Sequence, residues 1–414
     1  MKYSGKVSRK KCFRVYGAGF SGLATAACLH WQGAKVEVYE PNSGGGIVQT
    51  VPSVFDGVYE SAAMGVVRTE LTQKLFDFAR VEEAATSALV AKKYIFSDQP
   101  SRLPVTLADV PRAVLGALRI SLKAASARPR RAERLRDWGE RVLGQGGCRK
   151  LLEPGFQGVY GGGSADLSAT LVTAKLFGAR RFKAIKLRGG ITCYPQGGMA
   201  TLMSGLRRRL EKEGVTFFNS VGPSDLASLE DQSVVCVGLS SFLKMNCSGT
   251  SYENFSQKLR QVPKLDLASA YVVSKRPPSR FEGYGCLFPE ASGFSALGVQ
   301  LDAGVFREPL DDVHFHRFIY GWQKGFDLRE CINENVPKVA EADYRRLYKE
   351  PGEILDQQVS VWRSAIPHYG LPLEEALLSL PPASRGLAVF GNFTGTIGLS
   401  DILEKSYLWA KEVA

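Results

Sequence analysis

The sequence predicts an α/β fold in which both ends of the chain build one domain, completed by an antiparallel-sheet domain and a mostly helical insertion. Three observations predict it. Cys12 to Tyr16 is apolar and β-prone, Phe20 to Gln32 is rich in Ala and Leu, and Val36 to Glu40 is β-prone again, so strand, turn, helix and strand follow one another. Residues 265 to 325 alternate in the manner of antiparallel strands, whereas residues 71 to 190 carry helical patterns broken at Pro100, Pro104 and Pro111. Leu387 to Phe390 then reads as a strand ending in Gly391, with a glycine-punctuated turn and a helix from about Ser400.

The first turn carries Gly17-Ala18-Gly19-Phe20-Ser21-Gly22, a G-x-G-x-x-G pattern that leaves a strand and opens a helix. In that context Gly17 makes the turn, Gly19 lets backbone approach a pyrophosphate, and Gly22 lets helix and strand pack closely. The positive end of the helix suits an anion. Glu40 closes the second strand, where an acidic side chain accepts hydrogen bonds from ribose hydroxyls. These residues predict a Rossmann-type dinucleotide site. Farther on, Leu151-Leu152 leads into the glycine-rich turn Gly158-Val159-Tyr160-Gly161-Gly162-Gly163, and Val234-Val235-Cys236-Val237 reads as a buried strand within residues 215 to 240.

Composition sets the class. At 414 residues, 44% hydrophobic and 23% charged, the chain has the make-up of a globular protein of two or three sub-domains. Met1 to Lys10 is basic and lacks the apolar run of a secretory signal, and no stretch reaches the ~20 apolar residues of a membrane span. A cytoplasmic location is therefore expected, with peripheral contact on the inner face of the cell membrane as its variant. Cys12, Cys28, Cys148, Cys193, Cys236, Cys247, Cys286 and Cys331 form no C-x-x-C pair, which suggests neither a disulfide framework nor zinc. His314 and His316 could ligate a metal from one strand face, but no second cluster completes a site; alternate residues on an exposed strand are the simpler account, and no metal is expected. The net charge is +12. Much of it lies in Arg119, Lys123, Arg128, Arg130, Arg131, Arg134, Arg136, Arg141, Arg149 and Lys150, against Glu133, Asp137 and Glu140. Such a cluster is either a solvated helical face or a surface for acidic headgroups or a polycarboxylate ligand. Nucleic acid is not expected, for want of a recognised module.

Pro41-Asn42-Ser43-Gly44-Gly45-Gly46-Ile47 resembles the loop after the ribose acid in amine-oxidase-type flavoproteins, and favours FAD over NAD. Ala388-Val389-Phe390-Gly391-Asn392 with Gly395, Ile397, Gly398, Leu399 and Asp401 resembles that group's second FAD motif, in which a helix start faces the flavin ring. Four further stretches narrow the likeness to the protoporphyrinogen and coproporphyrinogen oxidases. They are Phe156 to Ser168, similar to G-V-(Y/F)-A-G-(D/N)-x-x-x-L-S; Tyr194-Pro195-Gln196-Gly197-Gly198-Met199; Gly285-Cys286-Leu287-Phe288-Pro289 with Leu297-Gly298-Val299; and Ala365-Ile366-Pro367-His368-Tyr369, which looks like A-I-P-Q-Y.

The resemblance implies a discontinuous Rossmann-type FAD domain from residues 1–84, 195–262 and 361–414, a helical, membrane-contacting domain at 85–194 and a substrate domain at 263–360. It implies FAD contacts at Gly17, Ala18, Gly19, Phe20, Ser21, Gly22, Glu40, Pro41, Gly46, Ala62, Ala63, Met64, Gly65, Val221, Ile397, Gly398 and Leu399. It also implies a substrate contact at Lys93, where the family often has an arginine holding a propionate; a snorkelling surface lysine is the other reading. The expected activity is FAD-dependent oxidation of a porphyrinogen to the porphyrin of haem biosynthesis, with oxygen or another acceptor reoxidising the flavin. No catalytic side chain is expected, because the flavin takes the hydride. The sequence departs from the family at Gly46, at Glu60-Ser61-Ala62-Ala63 in place of Glu-x-Gly-Pro, and at Gly370-Leu371-Pro372. Another amine-oxidase-group enzyme, such as a polyene desaturase, and a non-catalytic relative acting as an interaction protein are the alternative readings.

Overall fold

The computed structural model describes residues 11–414 apart from 43–45, 56, 103–106, 179–180, 188–189, 221, 223, 230–231, 279–280, 307–311, 323–325, 332–334 and 385. Strand β1 (Cys12–Tyr16) and strand β2 (Lys35–Tyr39) flank helix α1 (Phe20–Trp31), as the pattern of residues predicts. The Ala-rich α1 is buried from Phe20 to Leu29 on nearly every side, and this is why the segment carries no polar face.

β1 is central in a five-stranded parallel sheet whose order is Leu387–Val389, Ser233–Val235, β1, β2 and Thr216–Phe218. Sequence positions near both ends thus share one sheet. The C-terminal helix Leu399–Val413 packs on α1: the buried hydroxyls of Thr25 and Ser406 are 2.9 Å apart, and Lys11 Nζ donates to the Val413 carbonyl at 2.8 Å. Phe13, Val15, Leu23, Val38, Leu206, Ala388 and Leu403 are among the residues that close this core.

The second sheet has seven strands in the order Ile354–Pro367, Lys264–Lys275, Val313–Tyr320, Gly298–Leu301, Gly285–Leu287, Lys93–Phe96 and Pro100–Ser101. Every pairing in it is antiparallel except that of Gly285–Leu287 with Lys93–Phe96. The segment expected to be mostly helical therefore contributes two strands before its helices Val110–Ser121, Leu135–Gly147, Glu153–Tyr160 and Ala169–Phe177.

Strand Val313–Tyr320 is covered on both faces, which corrects its reading as an exposed strand. His316, Phe318 and Tyr320 pack with Tyr344 and Tyr348 of the helix Val336–Leu347 region, while Phe315 packs with Tyr59 and Tyr271. His316 is buried, with Nε2 2.9 Å from the Tyr348 hydroxyl and Nδ1 3.2 Å from the Val272 carbonyl. Burial, with His314 nearby, pushes its imidazole down to about 3. The basic cluster also finds more partners than its sequence suggests. Arg131, Arg134, Arg136, Arg141, Arg149 and Lys150 face Glu375, Asp166, Glu153, Glu133, Glu140 and Asp109 respectively.

Candidate functional site

The turn after β1 is built for close approach. Gly17 has φ +103°, and a Cβ there would lie 2.6 Å from the Cys236 carbonyl oxygen of the neighbouring strand. A Cβ on Gly22 would lie 1.8 Å from the Gly17 carbonyl oxygen, so helix and turn can meet only without it. Gly19 begins α1 without a side-chain cap, which suits that helix end to an anion. Glu40 holds the turn from below: its Oε2 accepts from Ala18 N–H at 2.9 Å and its Oε1 from Asn42 N–H at 3.0 Å. Gly46 (φ +81°) comes back to the same place, its Cβ position 3.6 Å from the Gly19 Cα. Phe20 is buried beneath the turn and Pro41 begins the loop beyond Glu40, while Val221 lies outside the described residues. A glycine cradle at a helix N-terminus, with a carboxylate beside it, fits the ADP part of FAD.

A second wall comes from Glu60 to Gly65. Glu60 is buried and fully engaged, its carboxylate accepting from Met199 N–H at 2.7 Å and Thr50 Oγ1 at 3.0 Å, and its backbone N–H donating to the Tyr271 hydroxyl at 3.0 Å. Burial pushes its carboxyl above the usual carboxylate range, making it a weaker acid. It ties this segment to the start of helix Met199–Lys212, so its role in this chain is architectural. Ala62 and Ala63 are not among the residues with positive φ, so the backbone takes an ordinary path where the family has Gly-Pro. The Ala62 carbonyl accepts from Arg317 Nη2. Met64 is buried, and a Cβ on Gly65 would lie 2.6 Å from the Cys193 carbonyl oxygen.

The third wall is the turn into the C-terminal helix. Gly391, the tight turn Asn392–Thr394 and Gly395 (φ +82°) lead to Ile397, Gly398 and Leu399. Ser400 Oγ donates to the Val67 carbonyl at 3.1 Å, which brings this helix start against the segment that follows Gly65. Behind it Lys405 Nζ donates to Thr394 Oγ1 at 3.0 Å and lies over Phe390; burial lowers its ammonium to about 8.

Lys93 stands apart from these walls on its parallel strand, exposed, with Nζ 5.1 Å from the Tyr284 ring centre. Between Lys93 and Ala62 lies a polar group that the sequence reading missed: Tyr194, Tyr284, Gln300, Asp302 and Arg317. Arg317 is buried and directly opposite Gln300 in register, donating through Nε to Ser269 Oγ at 2.7 Å as well as to Ala62. The Gln300 amide lies beside Tyr284, and neither its Nε2 nor Asp302 Oδ1 has a hydrogen-bond partner of normal geometry. Burial pushes the Asp302 carboxyl up to about 7, with Arg317 opposing the rise and Glu60 adding to it. Arg317 in the apolar run Val313 to Tyr320 was the available signal, since a cation inside a sheet that is covered on both sides demands partners.

Residues 20–221 match the family described as flavin containing amine oxidoreductase. The chain is 24% identical to protoporphyrinogen oxidase 1 of Arabidopsis thaliana chloroplasts, over 75% of this chain and 70% of that one. It is 22% identical to the chloroplast protoporphyrinogen oxidase of Nicotiana tabacum, over 96% of this chain and 84% of that one. Among solved structures, reduced UDP-galactopyranose mutase superposes with a TM-score of 0.72 at 15% identity, covering 98% of this chain and 95% of that one. The resemblance to the protoporphyrinogen oxidases is thus present along the chain, and the protein is an FAD-dependent oxidoreductase with the α/β architecture of this flavoprotein group.

Proposed function

We propose that this flavin-dependent oxidoreductase oxidises a porphyrinogen, protoporphyrinogen IX or coproporphyrinogen III, to the porphyrin in haem biosynthesis. The observation that carries the reading is the likeness to protoporphyrinogen oxidases over 96% of this chain. Fold alone would not, because a mutase shares the architecture. Bound FAD would supply the hydride acceptor, and oxygen or another acceptor would reoxidise it.

In this proposal residues 1–84, 195–262 and 361–414 form the FAD domain. Gly17, Ala18, Gly19, Phe20, Ser21 and Gly22, with Glu40, Pro41, Gly46 and Val221, hold the ADP part. Ala62, Ala63, Met64, Gly65, Ile397, Gly398 and Leu399 border the flavin. Residues 263–360 form the substrate domain, and Lys93 draws a substrate carboxylate by charge. The protein's share of the chemistry is to hold the macrocycle against the flavin and keep water out.

Residues 85–194 form the third domain in this reading, and we propose that they meet an anionic membrane surface. Among the described residues, no helix is long and apolar enough to cross a bilayer. Helix Val110–Ser121 nevertheless exposes Val114, Leu115 and Leu118, followed by Leu122, with Arg119 and Lys123 alongside. An apolar stripe with flanking cations suits the headgroup region of an acidic leaflet.

The test supplies reduced protoporphyrinogen and coproporphyrinogen to the FAD-loaded protein and follows porphyrin fluorescence. Acceleration beyond spontaneous oxidation is expected for at least one of them. Lys93→Ala is expected to raise KM with less effect on kcat, because a remote carboxylate is held about equally in ground and transition states. Background rates with both substrates, across several electron acceptors, would overturn the reading.

A further inference from the structure

The face of the second sheet that looks toward Ala62 carries a buried donor and a buried acceptor without a hydrogen bond of normal geometry inside the fold. Gln300 is in strand Gly298–Leu301, where the two-residue period puts it on the side opposite Val299 and Leu301 of the core, and Asp302, which opens the short helix Asp302–Val305, lies near enough to Arg317 and Glu60 to feel their charges. Arg317, across from Gln300, shares that side and is tied to the Ala62 carbonyl. Gln300 is only 8% exposed, yet its Nε2 has no partner of normal geometry, and the same holds for the buried Oδ1 of Asp302. A buried polar atom left this way costs stability unless something else meets it. Met64 and the rings of Tyr194 and Tyr284 are neighbours, and Tyr284 leads outward to Lys93.

We infer that Gln300 and Asp302 form a recognition point for an N–H-bearing heterocycle, Asp302 accepting from a ring N–H while Gln300 donates to an acceptor beside it. Resting on the proposed oxidation of a porphyrinogen, the ring is a pyrrole of that macrocycle: its N–H meets Asp302 in substrate and product alike, the unprotonated ring nitrogen that Gln300 meets arises on oxidation to the porphyrin, and Lys93 holds a carboxylate. The arrangement discriminates: a ligand lacking the N–H leaves the Asp302 oxygen buried without a partner. Arg317 positions the pair against the Ala62 segment.

Two probes test this on the FAD-loaded protein by calorimetric titration: protoporphyrin IX, and pyrrole-2-carboxamide, which has one ring N–H and one adjacent acceptor. Asp302→Leu and Gln300→Leu should each weaken both probes by about tenfold or more, the scale of a hydrogen bond to a charged or buried group. FAD content should not change in either variant, and Asp302→Asn, which keeps an acceptor oxygen, should recover part of the affinity. If the carboxamide binds the wild type and both Leu variants alike, or does not bind the wild type, the recognition point is disproved. If it binds as expected while protoporphyrin IX does not, the recognition point stands and the porphyrinogen reading falls.

Discussion

Gly22 and Asp302 show how single residues bear on the site in opposite ways. A side chain at Gly22 collides with the Gly17 carbonyl, whose position follows from the left-handed turn at Gly17. Gly22→Leu should therefore abolish FAD retention, measured as flavin absorbance per protein after gel filtration; full retention would dissociate the turn from the cofactor. Asp302 is instead held at a cost. With its carboxyl raised to about 7, the stabilisation it contributes is complete below the unfolded value near 3.8 and is lost as pH rises through 7. Asn mimics the protonated form. Asp302→Asn should thus be more stable than wild type at pH 8, by ~2 to 4 kcal/mol and with a higher melting temperature, and no different from wild type at pH 4. An equal melting temperature at both pH values would mean that the carboxyl is not raised. His316 works the other way. Its imidazole, lowered to about 3, contributes stability that is present above pH 6.5 and lost as pH falls toward 3.

At the scale of elements, the β1–α1–β2 unit was legible because its chemistry is local: three glycines, an Ala-rich helix and a terminal Glu40 each constrain their own neighbours. Strand Lys93–Phe96 was not legible, because it exists by pairing with Gly285–Leu287 far along the chain. The same distance hid the role of Arg317, whose partner Ala62 precedes it by most of the chain, and the burial of His316, which depends on the later Tyr344 and Tyr348. The basic cluster misled in the other direction: its charges looked unpartnered in sequence, yet six of them meet carboxylates in the fold. Charge alone is therefore a weak basis for membrane contact, and the apolar stripe on helix Val110–Ser121 is the stronger one. Leu118→Asp with Leu122→Asp should reduce sedimentation with anionic vesicles several-fold, while binding by wild type weakens in high salt. Identical sedimentation of variant and wild type would place the contact elsewhere.

Across the whole molecule, the cofactor cradle joins segments from the beginning, middle and end of the described chain in one parallel sheet. A ligand bound there stabilises all three together. Adding FAD to stripped protein should raise the melting temperature, with a gain of ~2.7 kcal/mol at a free concentration 100-fold above Kd. A transition indifferent to FAD would mean that these segments do not melt as a unit. The sheet order also bears on how the protein is made. β1 is paired on one side by β2, but its other neighbour, Ser233–Val235, is more than two hundred residues downstream, and Leu387–Val389 follows later still. At roughly 5 to 20 residues per second, a ribosome leaves that side of β1 open for about 10 to 40 seconds. An apolar strand with one bare edge for so long is a target for wrong pairing. Yield during expression should accordingly depend on chaperone supply and growth temperature more than the stability of the finished fold would suggest.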